Sequence, residues 1–287
     1  MKGQAGYSRI KSLPGSVLVW AILIACCLVV VVPLLFMAGA SLMPAGDIMK
    51  MPYSWIPKTW RWQNFYNGLA GNDGTWLYLR NIANSLFVSL SVAFSTVALS
   101  AMVGYGLAKF NFKGKNVVFM AIMATMMIPF ETVMVPLYLI VVKLHMQNTY
   151  WGLIVPFLMN AFGVFLMRQY FITFPTEILD AARIDGASEI SIFTKIVFKN
   201  SGPAAATLAI LAFRQQWDNL LWPLLVTQSE EMKTIPAYIV KFAAEKSADE
   251  GIMMAVAVIA SIPVFILFFS LSKYFLGGAA VYSAGKE

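Results

Sequence analysis

Six long apolar stretches constrain this chain more than any other feature of its sequence. Crossing the ~30 Å hydrocarbon core of a bilayer takes about 20 apolar residues in a helix, because no backbone N–H or C=O can stay unpaired there. The sequence therefore predicts an all-α membrane protein with six transmembrane helices. With only 12% of its 287 residues charged, it does not resemble an ordinary soluble enzyme. The six predicted helices are Val17–Gly39, Ile82–Ala108, Val117–Val142, Trp151–Phe171, Gly202–Val226 and Ile252–Leu276.

The positions of lysine and arginine predict the orientation of these helices. Of the 21 basic residues, twelve lie in the two termini and in the connections between helices 2 and 3 and helices 4 and 5, whereas eight lie in the opposite set. Connections on the cytoplasmic side carry the basic excess, so both termini are expected in the cytoplasm. Basic residues scattered over short gaps do not form the clustered face of a nucleic-acid binder, and no nucleic-acid partner is expected.

Composition divides the chain into three parts. Residues 1–81 contain the N-terminal tail, the first helix and an extracytoplasmic loop rich in Trp and Pro. Residues 82–276 form a core of helices 2 to 6, and residues 277–287 form a small cytoplasmic tail. Because indoles prefer the headgroup region, the loop is expected either to rest on the outer surface as a cap or to serve as a binding surface.

One long polar connection, Thr173–Ser201, is expected on the cytoplasmic side between helices 4 and 5. Pro175 and Thr176 suit the start of a short helix that Thr176 caps, and Gly186 is expected to take a positive φ and end it. A second helix opening at Ser188 then places its apolar residues on one face; these are Ile192, Phe193, Ile196 and Val197. Physical chemistry alone allows either a knob that docks into a partner's groove or a plain amphipathic connector.

This connection resembles the cytoplasmic coupling motif of binding-protein-dependent ATP-binding-cassette importer permeases. That motif is Glu-Ala-Ala, three residues, Gly, nine residues and Ile-x-Leu-Pro; this chain has Asp180-Ala181-Ala182, Gly186 and Ile196 at the same spacing. Asp180 replaces the usual Glu, and Phe198-Lys199 replaces Leu-Pro. Other segments resemble the carbohydrate branch of the family, similar to the maltose-type second permease subunit; they are SWIP at 54–57, GYGLAKFNFKGK at 104–115, IPFETVMVPLY at 128–138, NTYWGLIVP at 148–156 and WDNLLWPLLV at 217–226.

The resemblance implies a multi-pass permease subunit in a bacterial cell membrane that forms half of a carbohydrate pathway. Its implied partners are a homologous second permease subunit, two ATP-binding-cassette ATPase subunits and an extracytoplasmic sugar-binding protein. The ATPases would bind ATP and Mg, so no cofactor, metal or enzymatic activity is expected in this chain. A coupling helix over about residues 176–199 would seat in an ATPase, with contacts from Glu177, Asp180, Ala181, Ala182, Arg183, Asp185, Gly186, Ala187 and Ile196.

A small polar cluster is expected inside the membrane, where each ionisable group costs about 3 kcal/mol. Counted at 1.5 Å per residue from the cytoplasmic ends of helices 3 and 5, Glu131 and Arg214 are expected at similar depths, and we predict that they pair across the bundle, with Asp218 as a further partner. The pair would either fix helix register or contact the sugar. The cluster, which suits a sugar pathway or a packed helix interface, consists of Glu131, Arg214, Gln215, Gln216, Trp217, Asp218 and Asn219.

Two other classes of protein remain as alternatives to an importer permease. An ion-gradient-driven secondary carrier should show repeated halves and broken helices around a midplane ion site, and the sequence shows no such repetition. An intramembrane enzyme would need a catalytic pair at depth. The single histidine, His145, has no metal-binding companion, and the sequence contains no convincing catalytic pair.

Overall fold

The computed structural model describes residues 13–71, 74–244 and 249–284. Within these ranges every regular element is helical, and short 3₁₀ turns at Val155–Phe157 and Glu230–Met232 supplement the longer helices. The helices are α1 (Leu13–Ala40), α2 (Ala45–Ile48), α3 (Gln63–Ala70), α4 (Leu77–Lys109), α5 (Lys115–Thr125), α6 (Phe130–Lys143), α7 (Tyr150–Ile154), α8 (Ala161–Ile172), α9 (Thr176–Ile184), α10 (Glu189–Asn200, π-helical over Ile192–Val197), α11 (Gly202–Trp217), α12 (Leu221–Val226), α13 (Ile235–Ala244) and α14 (Glu250–Ala284).

The first of two compact units comprises residues up to Gly74 together with Glu245–Ile259. Its polar centre is Asn64, whose amide donates to the carbonyl oxygens of Ser41 at 3.0 Å and Met43 at 2.8 Å. These bonds hold the loop after α1 against α3, because a buried amide is costly unless its donors are paired. Most of α1 is exposed within the isolated chain, as expected of a helix that faces lipid.

The second unit, Thr75–Ala244 with Ala260–Glu287, is built on α4. Helices α8 and α11 both pack along α4, and small residues permit the close approach. A Cβ atom on Gly104 would lie 2.8 Å from the backbone nitrogen of Arg168 and 2.9 Å from Cβ of Met167. Gly104 therefore serves the close packing of α4 on α8.

Trp222 is the largest side chain that is fully buried in this unit. Its indole nitrogen donates to the carbonyl oxygen of Gly152 at 2.9 Å, which fixes α12 against α7. Nearby, Asn84 of α4 donates to the carbonyl oxygens of Glu231 at 2.7 Å and Lys233 at 2.9 Å and accepts from the Tyr150 hydroxyl at 2.7 Å. One polar side chain thus ties two connecting segments to the long helix.

Among the described residues, three helices are individually long and apolar enough to cross a membrane: Ser16–Ala40, Leu77–Lys109 and Glu250–Ser272. Three bent helix pairs bring the number of candidate spans to as many as six. Helices 3 and 4, each predicted as one continuous range, are interrupted. Helix 3 is broken by 96° between Lys115–Thr125 and Phe130–Lys143, and helix 4 by 44° between Tyr150–Phe157 and Ala161–Ile172.

The predicted helix 5 is also interrupted, since α11 ends at Trp217 and α12 begins at Leu221. The breaks have local causes. Pro129 lacks an N–H and disfavours helical geometry in the residue before it. Asn160 accepts from the backbone nitrogen of Gly163 at 2.6 Å and so begins α8 afresh, and Asn219 accepts from that of Trp222 at 3.3 Å at the start of α12.

The structure describes little or only part of the two predicted terminal segments. Residues 1–12 of the N-terminal tail lie outside the described residues. The predicted tail at 277–287 begins within α14, which continues to Ala284, and residues 285–287 lie outside the described part of the chain.

Replacing Gly104 by alanine should destabilise the chain, because the added methyl group meets backbone that cannot move aside. We expect a cost of about 1–3 kcal/mol, observed as a lower thermal midpoint of the purified protein in detergent. Gly106→Ala is the matched control, since its Cβ has no heavy atom within 4 Å. Equal midpoints for the two variants would contradict close packing at Gly104.

Candidate functional site

The connection between α8 and α11 forms two helices joined by a glycine turn. Helix α9 ends at Ile184, and Gly186 follows with a φ of +80°, which confirms the positive φ expected there. Ser188 caps α10 by accepting from the backbone nitrogen of Ser191 at 3.3 Å. Thr176, however, is not the cap of α9: it lies in the first turn, after Pro175. We call residues 176–200 the coupling segment.

Leu179 anchors the coupling segment to the transmembrane helices. Its side chain is fully buried although most of α9 is exposed. It lies in one apolar cluster with Ile192 and Val197 of α10, Tyr105 of α4 and Phe171 of α8. Burying a leucine side chain contributes about 1.5–3 kcal/mol, so this contact is the main apolar attachment of a helix of nine residues that would be unstable alone.

Polar contacts also join α4 to the two helices of the coupling segment and to the residues just before them. The Tyr105 hydroxyl donates to Glu189 Oε2 at 3.2 Å, and Arg183 Nε donates to Glu189 Oε1 at 2.7 Å. Arg183 Nη1 also donates to Asp180 Oδ1 at 2.8 Å. At the end of α4, Lys109 Nζ donates to the carbonyl oxygen of Phe174 at 2.6 Å. Glu189 therefore ties α10 directly to α4, and Arg183 ties α9 to α10 by charge-assisted hydrogen bonds.

These contacts shift two pKa values in opposite directions. Hydrogen bonds to Glu189 first, and then to Asp180, raise the pKa of the Arg183 guanidinium. The hydrogen bond from Arg183 lowers the pKa of the Glu189 carboxyl. The stabilising contribution of Glu189 is therefore present above its ordinary pKa and is lost as the pH falls through the lowered one. Both groups stay charged at neutral pH, so the contact persists there.

The outward surface of the coupling segment is an apolar knob edged by charge. Ile184 is 87% exposed and Ile190 77% exposed, whereas buried positions of the same helices face the core. Of the predicted coupling residues, Ala182, Ala187 and Ile196 are only partly exposed, and the two alanines pack against the apolar cluster. The exposed ones are Glu177, Asp180, Ala181, Arg183, Asp185 and Gly186. The sequence pattern did not predict Leu179 as the anchor, nor Ile178, Ile184 and Ile190 as the exposed apolar surface.

The predicted pair between Glu131 and Arg214 is wrong. Arg214 Nε instead contacts Asp218 Oδ2 of its own helix end at 3.2 Å, and no ion pair of Glu131 occurs within the part of the chain that the structure describes. The depth estimate assumed a straight helix 3, and the 96° bend before Glu131 removes that assumption. Gln216 and Trp217 are buried in packing, with the Trp217 indole donating to the carbonyl oxygen of Ala260 at 3.1 Å.

A cavity lies where the helix breaks adjoin α11. Three polar side chains line it: Thr125 at the end of α5, Asn160 before α8 and Gln215 of α11. Apolar groups, including Ile128, Phe162 and Leu211, complete the wall. Arg214, Gln215 and Asp218 share the exposed side of α11, so the predicted polar cluster divides into an exposed face and a packed one. Thr125 and Asn160 were not predicted; Pro129 was the sequence signal for the nearest break.

No group of three or more potential metal-ligating side chains occurs among the described residues. The two described cysteines, Cys26 and Cys27, are exposed and unpaired on α1. The contacts that characterise this region are apolar packing and hydrogen bonding, and they suit a mechanical connection and a polar-lined path through the helices.

Comparisons with known proteins agree with this arrangement. A family model described as the inner membrane component of binding-protein-dependent transport systems matches residues 96–278. The chain is 37% identical over 257 residues to the arabinooligosaccharides transport system permease protein AraQ of Halalkalibacterium halodurans, covering 88% of this chain and 90% of that protein. It is 30% identical over 262 residues to the sn-glycerol-3-phosphate transport system permease protein UgpE of Brucella abortus, covering 90% and 93%.

A solved structure shares the fold. The chain is similar, with a TM-score of 0.79 and 23% identity, to a chain of a bacterial ABC transporter involved in the import of the acidic polysaccharide alginate. The match covers 96% of this chain and all of the other.

Shortening the anchor should loosen the coupling segment without unfolding the bundle. Leu179→Ala removes a fully buried side chain, and we expect a loss of about 2–5 kcal/mol in the local stability of residues 176–200. Faster amide hydrogen exchange across the segment would show it. Ile178→Ala, at a neighbouring position that is 46% exposed, is the control and should exchange as the parent does. Equal protection in both variants would contradict the anchoring role.

Proposed function

Because the chain belongs to the inner membrane components of binding-protein-dependent transport systems, and is an importer permease subunit rather than an enzyme, we propose that it carries a carbohydrate and is driven by separate ATPases through its coupling segment. The family implies a partner permease, ATPase subunits and an extracytoplasmic binding protein in general terms. The further assignment to two ATPases, one second permease and a sugar-binding protein belongs to this proposal, as does the absence of a cofactor in this chain.

The observation that supports the proposal is that the coupling segment has one side packed on the bundle and another side that is exposed and apolar. Its inner side is locked to α4 and α8 by Leu179 and by the Tyr105–Glu189–Arg183 contacts. Its outer side presents Ile184 and Ile190, apolar groups for which solvent is an unfavourable environment. One side of the segment is attached to the transmembrane helices, and the other exposes apolar residues that a partner could bind. A partner that moves the exposed side would therefore also move the helices packed behind it.

The proposed membrane arrangement has six spans with both termini in the cytoplasm. Helices α1, α4 and α14 cross singly, while α5 with α6, α7 with α8, and α11 with α12 cross as interrupted pairs. The 79° bend between Glu189–Asn200 and Gly202–Trp217 supports α10 lying along the inner surface while α11 crosses. Helix α11 alone is about 24 Å long, so α12 is needed to complete the crossing. The excess of basic residues supports the orientation.

The transport step would be a rocking of the helices behind the coupling segment. Closure of the ATPases, which would bind ATP and Mg, moves the knob, and the anchored segment carries α4 and α8 with it. The helix breaks near Pro129, Asn160 and Asp218 provide places where the path can change shape. We therefore place the pathway at the cavity lined by Thr125, Asn160 and Gln215, with the exposed pair Arg214–Asp218 beside it.

A carbohydrate is the substrate class that the relatives and the cavity support together. The relatives' names refer to arabinooligosaccharides and glycerol-3-phosphate, and a further relative, 33% identical, is the lactose transport system permease protein LacG of Rhizobium radiobacter. Sugars need amide and hydroxyl partners for their hydroxyl groups and apolar surfaces for their C–H faces, and the cavity offers both. The matched family gives no support to the alternative of an ion-gradient-driven secondary carrier.

An acidic residue at the tip of the knob should separate the permease from its ATPases. Ile184→Asp would bury an unpaired carboxylate in the proposed contact, and we expect sugar-stimulated ATP hydrolysis to fall by more than about tenfold, with loss of co-purification. The side chain is 87% exposed in the isolated chain, so folding should be unaffected. Ile56→Asp, at a residue of the outer loop that is 72% exposed, is the control. Normal ATPase association of Ile184→Asp would contradict docking at this surface.

Removing the amide of Gln215 should slow uptake while leaving assembly intact. Gln215→Leu keeps the size of the side chain but removes a hydrogen-bonding group from the cavity, so we expect a three- to tenfold loss of sugar uptake, about the effect of one neutral hydrogen bond. Uptake into vesicles containing the assembled complex measures it. Gln228→Leu changes an exposed glutamine outside this cavity and serves as the control. Unchanged uptake in Gln215→Leu would show that the path lies elsewhere.

A further inference from the structure

We propose that a basic cleft at the junction of α4, α5 and α8 binds a phosphate group, presented by the headgroup of an anionic lipid in the inner leaflet. The cleft is lined by residues 111–117, except Lys113, and by Arg168. The lipid source rests on the membrane orientation proposed above. The phosphate chemistry rests on the side chains themselves.

Arg168 is the centre of the cleft because no residue that the structure describes supplies an anionic partner for its charge. Its guanidinium lies over the ring of Phe119, with Cζ 4.0 Å from the ring centroid. Its Nε is buried and makes no hydrogen bond with any described residue, and no carboxylate of the described ranges forms an ion pair with this side chain. A buried guanidinium donor without an acceptor is costly, and arginine matches phosphate oxygens with paired donors.

Lys115 supplies a second positive charge in the same cleft. Its ammonium donates to the carbonyl oxygen of Phe110 at 2.9 Å and makes a longer contact to that of Ala108 at 3.4 Å. An ammonium has three donors, so one remains for a ligand. Asn111 and Asn116 add neutral polar groups, and none of the lining residues is acidic. The cleft therefore carries two positive charges without a compensating negative one.

The surroundings of the cleft suit a lipid headgroup better than a soluble anion. Phe112 is 48% exposed and Val117 66% exposed, so apolar side chains flank the basic groups as they do at a membrane interface. The cleft also lies at the end of the bundle that holds the coupling segment, since Lys109 at the end of α4 contacts Phe174. Anionic lipids of the inner leaflet attract basic groups at this depth by about 1 kcal/mol for each charge.

The test measures lipid binding to the complete complex in detergent. Phosphatidylglycerol or phosphatidylcholine is titrated in, and bound lipid is counted by native mass spectrometry. We expect a tightly bound phosphatidylglycerol whose affinity falls about fivefold in Arg168→Gln and in Lys115→Gln, the factor that corresponds to about 1 kcal/mol for one charge. Arg168→Lys, which keeps the charge but loses the paired donors, should bind with an affinity between those of the parent and Arg168→Gln.

Lys113→Gln is the matched control, because it removes the same charge from the same loop at an exposed residue that does not line the cleft. An equal loss of affinity in Lys113→Gln would indicate diffuse attraction to the surface and would overturn a discrete site. Equal binding of phosphatidylglycerol and phosphatidylcholine would overturn it as well. Lys115→Gln keeps the test valid if Arg168→Gln fails to fold.

A second arm separates the two sources of phosphate. Millimolar inorganic phosphate is added to the delipidated complex, and the thermal midpoint is measured for the parent and for Arg168→Gln. A phosphate-induced rise that requires Arg168, together with no preference for phosphatidylglycerol, would overturn the lipid assignment. All of these variants should retain ATPase association. The contribution of the coupling segment to that association is measured separately, with Ile184→Asp. Failure of the lipid site is thereby distinguishable from failure of the proposed function.

Discussion

The burial of Leu179 is the interaction on which the rest of the coupling segment depends. Helix α9 has nine residues, and Leu179 is its one fully buried side chain, with Ala182 adding a smaller apolar contact to the same cluster. The surrounding polar contacts form in a segment that apolar packing has already placed against the bundle. Tyr105 and Arg183 reach Glu189 from opposite elements, which gives the segment a defined orientation as well as an attachment.

The anchored side and the exposed side of the segment both carry apolar residues. Ile184 and Ile190 extend away from the cluster that contains Leu179 and Ile192, so the same two helices have one face for the bundle and one for a partner. The glycine turn at Gly186 sets the angle between those helices, and its φ of +80° is strained for other residue types. A connector that only followed the membrane surface would not need both faces.

Much of the fold was predictable from the sequence, and the failures have physical causes. The length of the apolar stretches predicted the transmembrane regions, and Gly186 and Ser188 predicted the turn and the second cap. The continuous ranges did not give the ends of the interrupted helices, because an apolar run does not show where a proline or an asparagine cap will end one helix and start the next. The error in helix 3 then produced the wrong pairing of Glu131 with Arg214, because depth was counted along a straight axis.

The candidate pathway was predictable only in part for the same reason. Gln215 could be found because it stands in a polar run on α11, whereas Thr125 and Asn160 reach the cavity through breaks in other helices. Leu179 was missed because one leucine in a short amphipathic helix carries no special pattern. Its role follows from tertiary packing against Phe171 and Tyr105, which lie far from it in the sequence or on other helices.

The central claim is that the coupling segment moves with the transmembrane helices as one body. Spin labels at Ile184→Cys and Phe94→Cys, two exposed positions on α9 and α4, would measure this distance by electron paramagnetic resonance in a chain carrying Cys26→Ser and Cys27→Ser. Between the nucleotide-free and ATP-bound complex, the account predicts a change of at most about 2 Å. A change of about 5 Å, one helical turn, would contradict it by showing that the segment moves independently of the bundle.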